Sequence, residues 1–248
     1  MNRKLAGLGA AVLVAMGAWP AGTAGAAPCP VPLPQGSDPV TLDPGDFVGQ
    51  IDNPYWPMGP GTRWIYRESD GQGNVAKVKV TVTARTKDIL GIQATVVHDV
   101  VSEHGQLIEN TFDWYAQDAC GNVWYLGENT KEYENGEVVT TAGSWEAGVD
   151  GAQAGVVVPG DPQVGLTYRQ EYYAGEAEDA AEILSLDEQA QVIFGHFRDV
   201  LLTKDFTPLH RRILEYKLYA KGIGPVLVLG ISGGSDREEL VRFIPPSP

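Results

Sequence analysis

From Val75 onward the chain alternates apolar and polar residues in short runs. Val78, Val80 and Val82 interleave with Lys77, Lys79, Thr81 and Thr83, the period-two pattern of a strand with one buried face. Runs of this kind recur as ATVVHDVV, TFDWYAQ, NVWYLG, QVIFG, FRDVLLTKDF, ILEYKLYA, PVLVLGI and REELVRF. Asp70-Gly71, His104-Gly105, Cys120-Gly121 and Asn135-Gly136 stand between strand-like segments. Asn-Gly between such segments is the strongest short hairpin signal, because both residues accept positive φ. The pattern predicts an all-β fold: a single antiparallel meander of roughly ten to twelve strands. A sheet that long twists and curls, so a strongly curved half-barrel or open barrel is expected.

Three segments depart from the alternation. Residues 27–60 contain PCPVPLPQGSDPV and NPYWPMGPG, a proline-rich extended arm. The β domain then spans 61–248. Within it, residues 142–166 (AGSWEAGVDGAQAGVVVPGDPQVGL) are glycine-rich and read as a long connection covering one mouth of the curved sheet. Residues 176–189 (EAEDAAEILSLDEQ) fit two descriptions. Ala177, Ala180, Ala181 and Leu184 have helical spacing, while Ile183 to Leu186 also alternate as a strand.

The N-terminus adds a location. Arg3 and Lys4 precede a 15-residue apolar run from Leu5 to Trp19, and Ala24-Gly25-Ala26 forms an A-x-A cleavage site. This is the layout of a signal peptide over residues 1–26; the run is short of the ~20 residues needed to span a bilayer. The mature protein is expected to be secreted, or held in the periplasm or cell envelope, with no stable membrane insertion. Removing Arg3 and Lys4 leaves 16 basic against 32 acidic residues, a net charge of −16. Such a chain does not follow a phosphate backbone, which argues against nucleic acid as a partner. Two cysteines, Cys29 and Cys120, in an oxidising compartment suggest a disulfide tying the arm to the hairpin around Cys120.

Two local patterns carry a resemblance. Pro57-Met58-Gly59-Pro60-Gly61 leads into Trp64-Ile65-Tyr66, and Tyr219-Ala220-Lys221-Gly222-Ile223-Gly224-Pro225-Val226 lies near the end. Together they resemble a broad group of uncharacterised exported bacterial proteins and lipoproteins. In that group a P-x-x-P-G-x-x-W-x-Y entrance opens an antiparallel sheet and a Y-A-x-G-I-G-x-V hairpin completes it. The resemblance implies strand rather than helix at residues 178–186, and it implies no catalytic residues.

Complete catalytic signatures are lacking. Gly230-Ile231-Ser232-Gly233-Gly234 has the form of a hydrolase nucleophile elbow, but no histidine follows it. It reads as a turn. His98, His104, His196 and His210 form no metal-binding pair; His98, inside a strand, is the one to weigh as a ligand or base. Asp118-Ala119-Cys120-Gly121-Asn122 lacks the spaced acids of a calcium loop. No cofactor is expected, with Ca²⁺ at an acidic cluster as the alternative.

The aromatic hairpin at residues 111–126 is the strongest candidate. Phe112, Trp114 and Ala116 share one strand face, expected to be core. Asp113, Tyr115 and Gln117 share the other, combining flat apolar surface with hydrogen-bonding groups, as ligand sites do. The predicted ligand residues are Asp113, Tyr115, Gln117, Trp124, Trp145 and Glu171. The leading reading is an exported non-catalytic protein holding an apolar, glycan-like or protein ligand on a curved aromatic-acidic sheet. The alternatives are an envelope hydrolase or lyase using carboxylates such as Asp113 and Glu171, and a structural or assembly factor of the envelope.

Overall fold

The structure is a computed structural model that describes residues 33–246. The expected signal peptide and Cys29 lie outside the described residues. Seventeen strands form one antiparallel sheet: β1 (Phe47–Val48), β2 (Arg63–Ser69), β3 (Val75–Ile89), β4 (Ile92–Glu103), β5 (Gln106–Asp118), β6 (Val123–Asn129), β7 (Glu132–Glu134), β8 (Glu137–Thr140), β9 (Trp145–Glu146), β10 (Gln153–Val158), β11 (Thr167–Arg169), β12 (Glu171–Tyr172), β13 (Ala180–Gln191), β14 (His196–Phe206), β15 (Leu214–Ala220), β16 (Gly224–Ser232) and β17 (Arg237–Ile244). The count exceeds the predicted ten to twelve because several strands are only two to four residues long.

Strand pairing runs round a ring. It passes from β2 through β3, β4, β5 and β6 to β10. From β10 it crosses the broken stave β11/β12 to β13. It then continues through β14, β15, β16 and β17 back to β2. The expected curvature therefore goes as far as a nearly closed barrel, which removes the exposed edges of an open sheet.

One departure from the sequence reading follows, and one alternative it left open is decided. Residues 142–166 are not a loose connection: they contain β9 and β10, and β10 is the stave that joins the two halves of the ring. Residues 180–191 are strand throughout, so pairing with β14 overrides the local helical spacing of the alanines. The Asn135-Gly136 turn joins β7 to β8 with φ of 52° and 83°, as its type requires.

Tertiary contacts fasten the arm. Residues 33–40 run beside β10 and β11, where Arg169 is almost fully buried. Its guanidinium donates to the carbonyls of Gly36, Asp38 and Ala154, each at 2.8 Å. Further on, β1 pairs with the end of β5. Residues 51–58 cross the lower end of the barrel, the end that carries the β3–β4, β5–β6 and β15–β16 turns. There Asn53 Nδ2 donates to the carbonyls of Gly121 and Pro159, and the Gly222 amide donates to Pro54. An Arg169→Met variant is expected to lose about 2–4 kcal/mol, since each hydrogen bond from a charged donor contributes about 1.5–3. Urea unfolding measures that loss, and limited proteolysis should report faster cleavage within residues 33–60.

The two resemblance motifs meet at this lower end. Trp64 Nε1 donates to Ile223 O at 2.7 Å and Tyr66 OH to Pro225 O at 3.0 Å. Gly224, at φ 113°, lies where an added Cβ would stand 2.8 Å from Trp56 Cδ1. Any other residue there would force Trp56 or the local backbone to shift.

Candidate ligand site in the barrel interior

Side chains alternate inward and outward along each stave, and the inward sets share a gradient. Moving upward, β2 presents Trp64, Tyr66 and Glu68; β5 presents Tyr115, Asp113 and Glu109; β15 presents Tyr219, Lys217 and Glu215; β14 presents Leu201, Thr203 and Asp205. The lower interior is therefore aromatic and aliphatic, and the upper interior is charged. The two zones meet at a cavity of ≈ 290 Å³.

Trp56 from the arm enters this cavity, 5.4 Å from the Tyr115 ring and 6.0 Å from that of Tyr219. Tyr115 stacks on Tyr125 at 4.8 Å, and Tyr125 OH donates to Asp113 Oδ1 at 2.8 Å. Asp99, Asp113, Glu171, Asp179 and Glu238 bring five carboxyl groups to the wall. Among the described residues Lys217 is the one basic side chain lining the cavity, and its ammonium lies 3.0 Å from Asp205 Oδ2. Gln170 Nε2 donates to the same oxygen of Asp205 at 3.0 Å, and Thr203 Oγ1 donates to its other oxygen.

Burial disfavours the ionised form of these acids. It pushes Asp113 up to about 7 against the hydrogen bond from Tyr125. Burial, with Asp179 nearby, takes Glu171 to about 8, and burial with Glu68 nearby takes Glu238 to about 7. Burial and the Asp113 charge place Glu128, beside the cavity on β6, at about 9. Asp99 is raised well above the ordinary carboxylate range by burial and by Asp113. Burial also works against the Lys217 ammonium, but Asp205, Tyr219 and Glu215 outweigh it and hold its pKa well above the usual lysine value.

The predicted site residues separate into groups. Asp113, Tyr115 and Glu171 line the cavity. Trp145 stands behind them, donating from Nε1 to Glu171 Oε2 at 2.8 Å and meeting Tyr125 edge-on. Gln117 serves the arm: its Oε1 accepts from the amides of Asp52 and Asn53, and its Nε2 donates to Asp52. Trp124 faces outward, where Phe47 packs edge-on against it and Asp118 accepts its indole N–H.

The face of Phe112, Trp114 and Ala116, expected to be core, is buried at Trp114 and Ala116, although it lies on the outer side of the barrel wall. It is covered by His98 stacked on Phe112, by Lys87 Nζ 3.3 Å from the Trp114 ring centroid, and by Trp124 opposite Ala116. His98 thus lies on the outer wall, with Nε2 bonded to Asn110 Oδ1 at 2.6 Å. Asp118 is the hub of a turn, with Oδ1 accepting from the amides of Cys120 and Asn122. Cys120 is not a free thiol. Ser232 is the last residue of β16.

Trp56, Tyr66, Asp99, Tyr125, Lys217, Tyr219 and Glu238 also line the cavity, and sequence reasoning passed them over. The usable signal was the alternation within LEYKLYA, which puts Glu215, Lys217 and Tyr219 on one face. Among the described residues no group of three or more His, Cys, Asp or Glu is placed to hold a metal ion, and no helix is long and apolar enough to cross a membrane.

Comparison with known proteins adds little. No family model matches the chain, and no curated protein matches it. One solved structure, that of a "putative lipoprotein" from Parabacteroides distasonis ATCC 8503, is similar over 77% of this chain and 98% of its own. At 11% identity and a TM-score of 0.42 it identifies neither a family nor a function.

Proposed function

We propose that this chain is an exported, non-catalytic binding protein that holds a small ligand inside the barrel. The observation that carries the reading is the cavity itself, which joins flat aromatic surface to convergent polar groups. The signal peptide at residues 1–26 directs export to the cell envelope or beyond. A Cys29–Cys120 disulfide then anchors the arm that carries Trp56 beneath the ligand.

The test fills the cavity. Val228 lines it, so Val228→Trp should occlude the site from one wall. The probes are soluble disaccharides, aryl glycosides, aryl alcohols and aryl amines, read by melting temperature. A ligand at about 100 times its Kd stabilises the wild type by about 2.7 kcal/mol. At least one class is expected to raise the wild-type melting temperature and leave the folded Val228→Trp protein unmoved. No shift with any class, or equal shifts in both proteins, would overturn the proposal. Turnover of an aryl glycoside that vanishes in Asp113→Asn and Glu171→Gln would replace binding by carboxylate catalysis.

A further inference from the structure

The charges around the cavity are not balanced against one another. Lys217 is engaged by Asp205 on the β14–β15 side. Asp99, Asp113 and Glu238 belong to β4, β5 and β17, and the charges of Asp113 and Glu238 both act on Asp99. None of the three is in a salt bridge among the described residues. Asp99 Oδ1 is buried and has no hydrogen-bond partner among the described residues. A buried carboxylate oxygen without a donor is costly. Lys217 lends Glu238 a favourable field but is itself paired with Asp205, so the three acids share a wall without an ion-pair partner and leave a place that a positive group would fill.

The cavity floor fits the remainder of such a ligand. Trp56, Tyr115 and Tyr219 offer ring faces, which attract both apolar surface and cations. The carboxylates do not converge as ligands of one metal ion, which would need oxygens at about 2.0–2.6 Å. An organic cation needs only one or two acceptors and a favourable field. Glu68, Glu109 and Glu215 reinforce that field from the upper staves, close enough to act on one another.

Building on the reading of the interior as a ligand site, we propose that its ligand is a small organic cation, an amine or guanidine on an apolar or aromatic body. The cationic group sits among Asp99, Asp113 and Glu238, and the body rests on Trp56, Tyr115 and Tyr219. The raised pKa values of the three acids add a consequence: a bound cation draws them into ionisation, so binding releases protons.

The experiment is calorimetric titration of the full mature chain at pH 7 with matched pairs, 2-phenylethylamine against 2-phenylethanol and hexylamine against hexanol. Each amine is expected to bind at least about tenfold tighter than its alcohol, with heats that depend on buffer ionisation enthalpy in the direction of proton release. Asp99→Asn and Glu238→Gln, which keep shape and remove charge, should each weaken the amines about tenfold or more and leave the alcohols unchanged. Alcohols binding as tightly as amines would overturn the cation assignment while leaving the ligand site standing. Binding by no member of either series would overturn the cation assignment, while the ligand site itself stands or falls by the Val228→Trp comparison.

Discussion

Raising the pH from 5 to 9 is expected to lower the melting temperature by about 10–20 °C, with no ligand present. Carboxylic acids in the unfolded chain lose their protons near pH 4. In the folded protein Asp113 and Glu238 hold theirs to about 7, Glu171 to about 8 and Glu128 to about 9. Across this window the native state binds more protons than the unfolded state, so stability falls as pH rises. The stability is fully present below the unfolded pKa values and is lost as each folded pKa is passed. One acid shifted by three units accounts for about 4 kcal/mol.

These acids repel one another, so their contributions belong to the group and do not simply add. A total on the order of 5 kcal/mol gives the quoted change for a domain of this size. Lys217 has a raised folded pKa, so its contribution is lost only above the window. Asp70, whose pKa is lowered by the backbone amide of Gln72, completes its titration below it. Thermal melts at pH 5, 7 and 9 check the trend, and Asp113→Asn should flatten it. A melting temperature that holds or rises toward pH 9 would show that the interior acids are already ionised at pH 5.

Lys217→Met carries the second large effect, a loss of about 3–5 kcal/mol at pH 8, the range for breaking a buried ion pair from one side. Methionine matches much of the lysine stem, so the loss reports charge rather than volume. Asp205, nearly inaccessible to solvent, would keep Thr203 and Gln170 as donors but lose its cation. Glu171, Asp179 and Glu238 would lose the favourable field that Lys217 supplies. Adding Asp205→Asn to Lys217→Met removes the stranded charge and should recover most of the loss. A double-mutant cycle from urea unfolding isolates that coupling. Purely additive single-mutant losses would mean that the 3.0 Å contact contributes nothing to stability.

The candidate site was half legible. Asp113 and Tyr115 stood out because an acid and an aromatic two residues apart lie on one strand face, and they do face the cavity. Gln117 has the same parity, one step lower, yet the arm takes up its amide. Trp124 drew attention for its size, but its parity places it outward against Phe47. The expectation that the more apolar face of β5 is core assumes an open sheet with one wet side. In a closed barrel both faces can be buried, and here the arm and the Lys87–Glu146 pair cover the outer one.

Alternation and turn chemistry are local, so the sequence by itself determined most of the long strands, several of their hairpins, the antiparallel sheet and which residues share a face along each of those strands. It also determined an acidic chain. Only the tertiary structure decided that β17 meets β2 and β10 meets β6, because ring closure depends on registers summed over every stave. Closure then fixed which face is interior, brought Asp99, Asp113, Glu171, Lys217 and Glu238 from five strands to one cavity, and laid Trp56 beneath them. In TFDWYAQDACGNVWYLG the face that lines the cavity could be singled out from period alone. What that face encloses is set by residues more than a hundred positions away, and no local pattern encodes that distance.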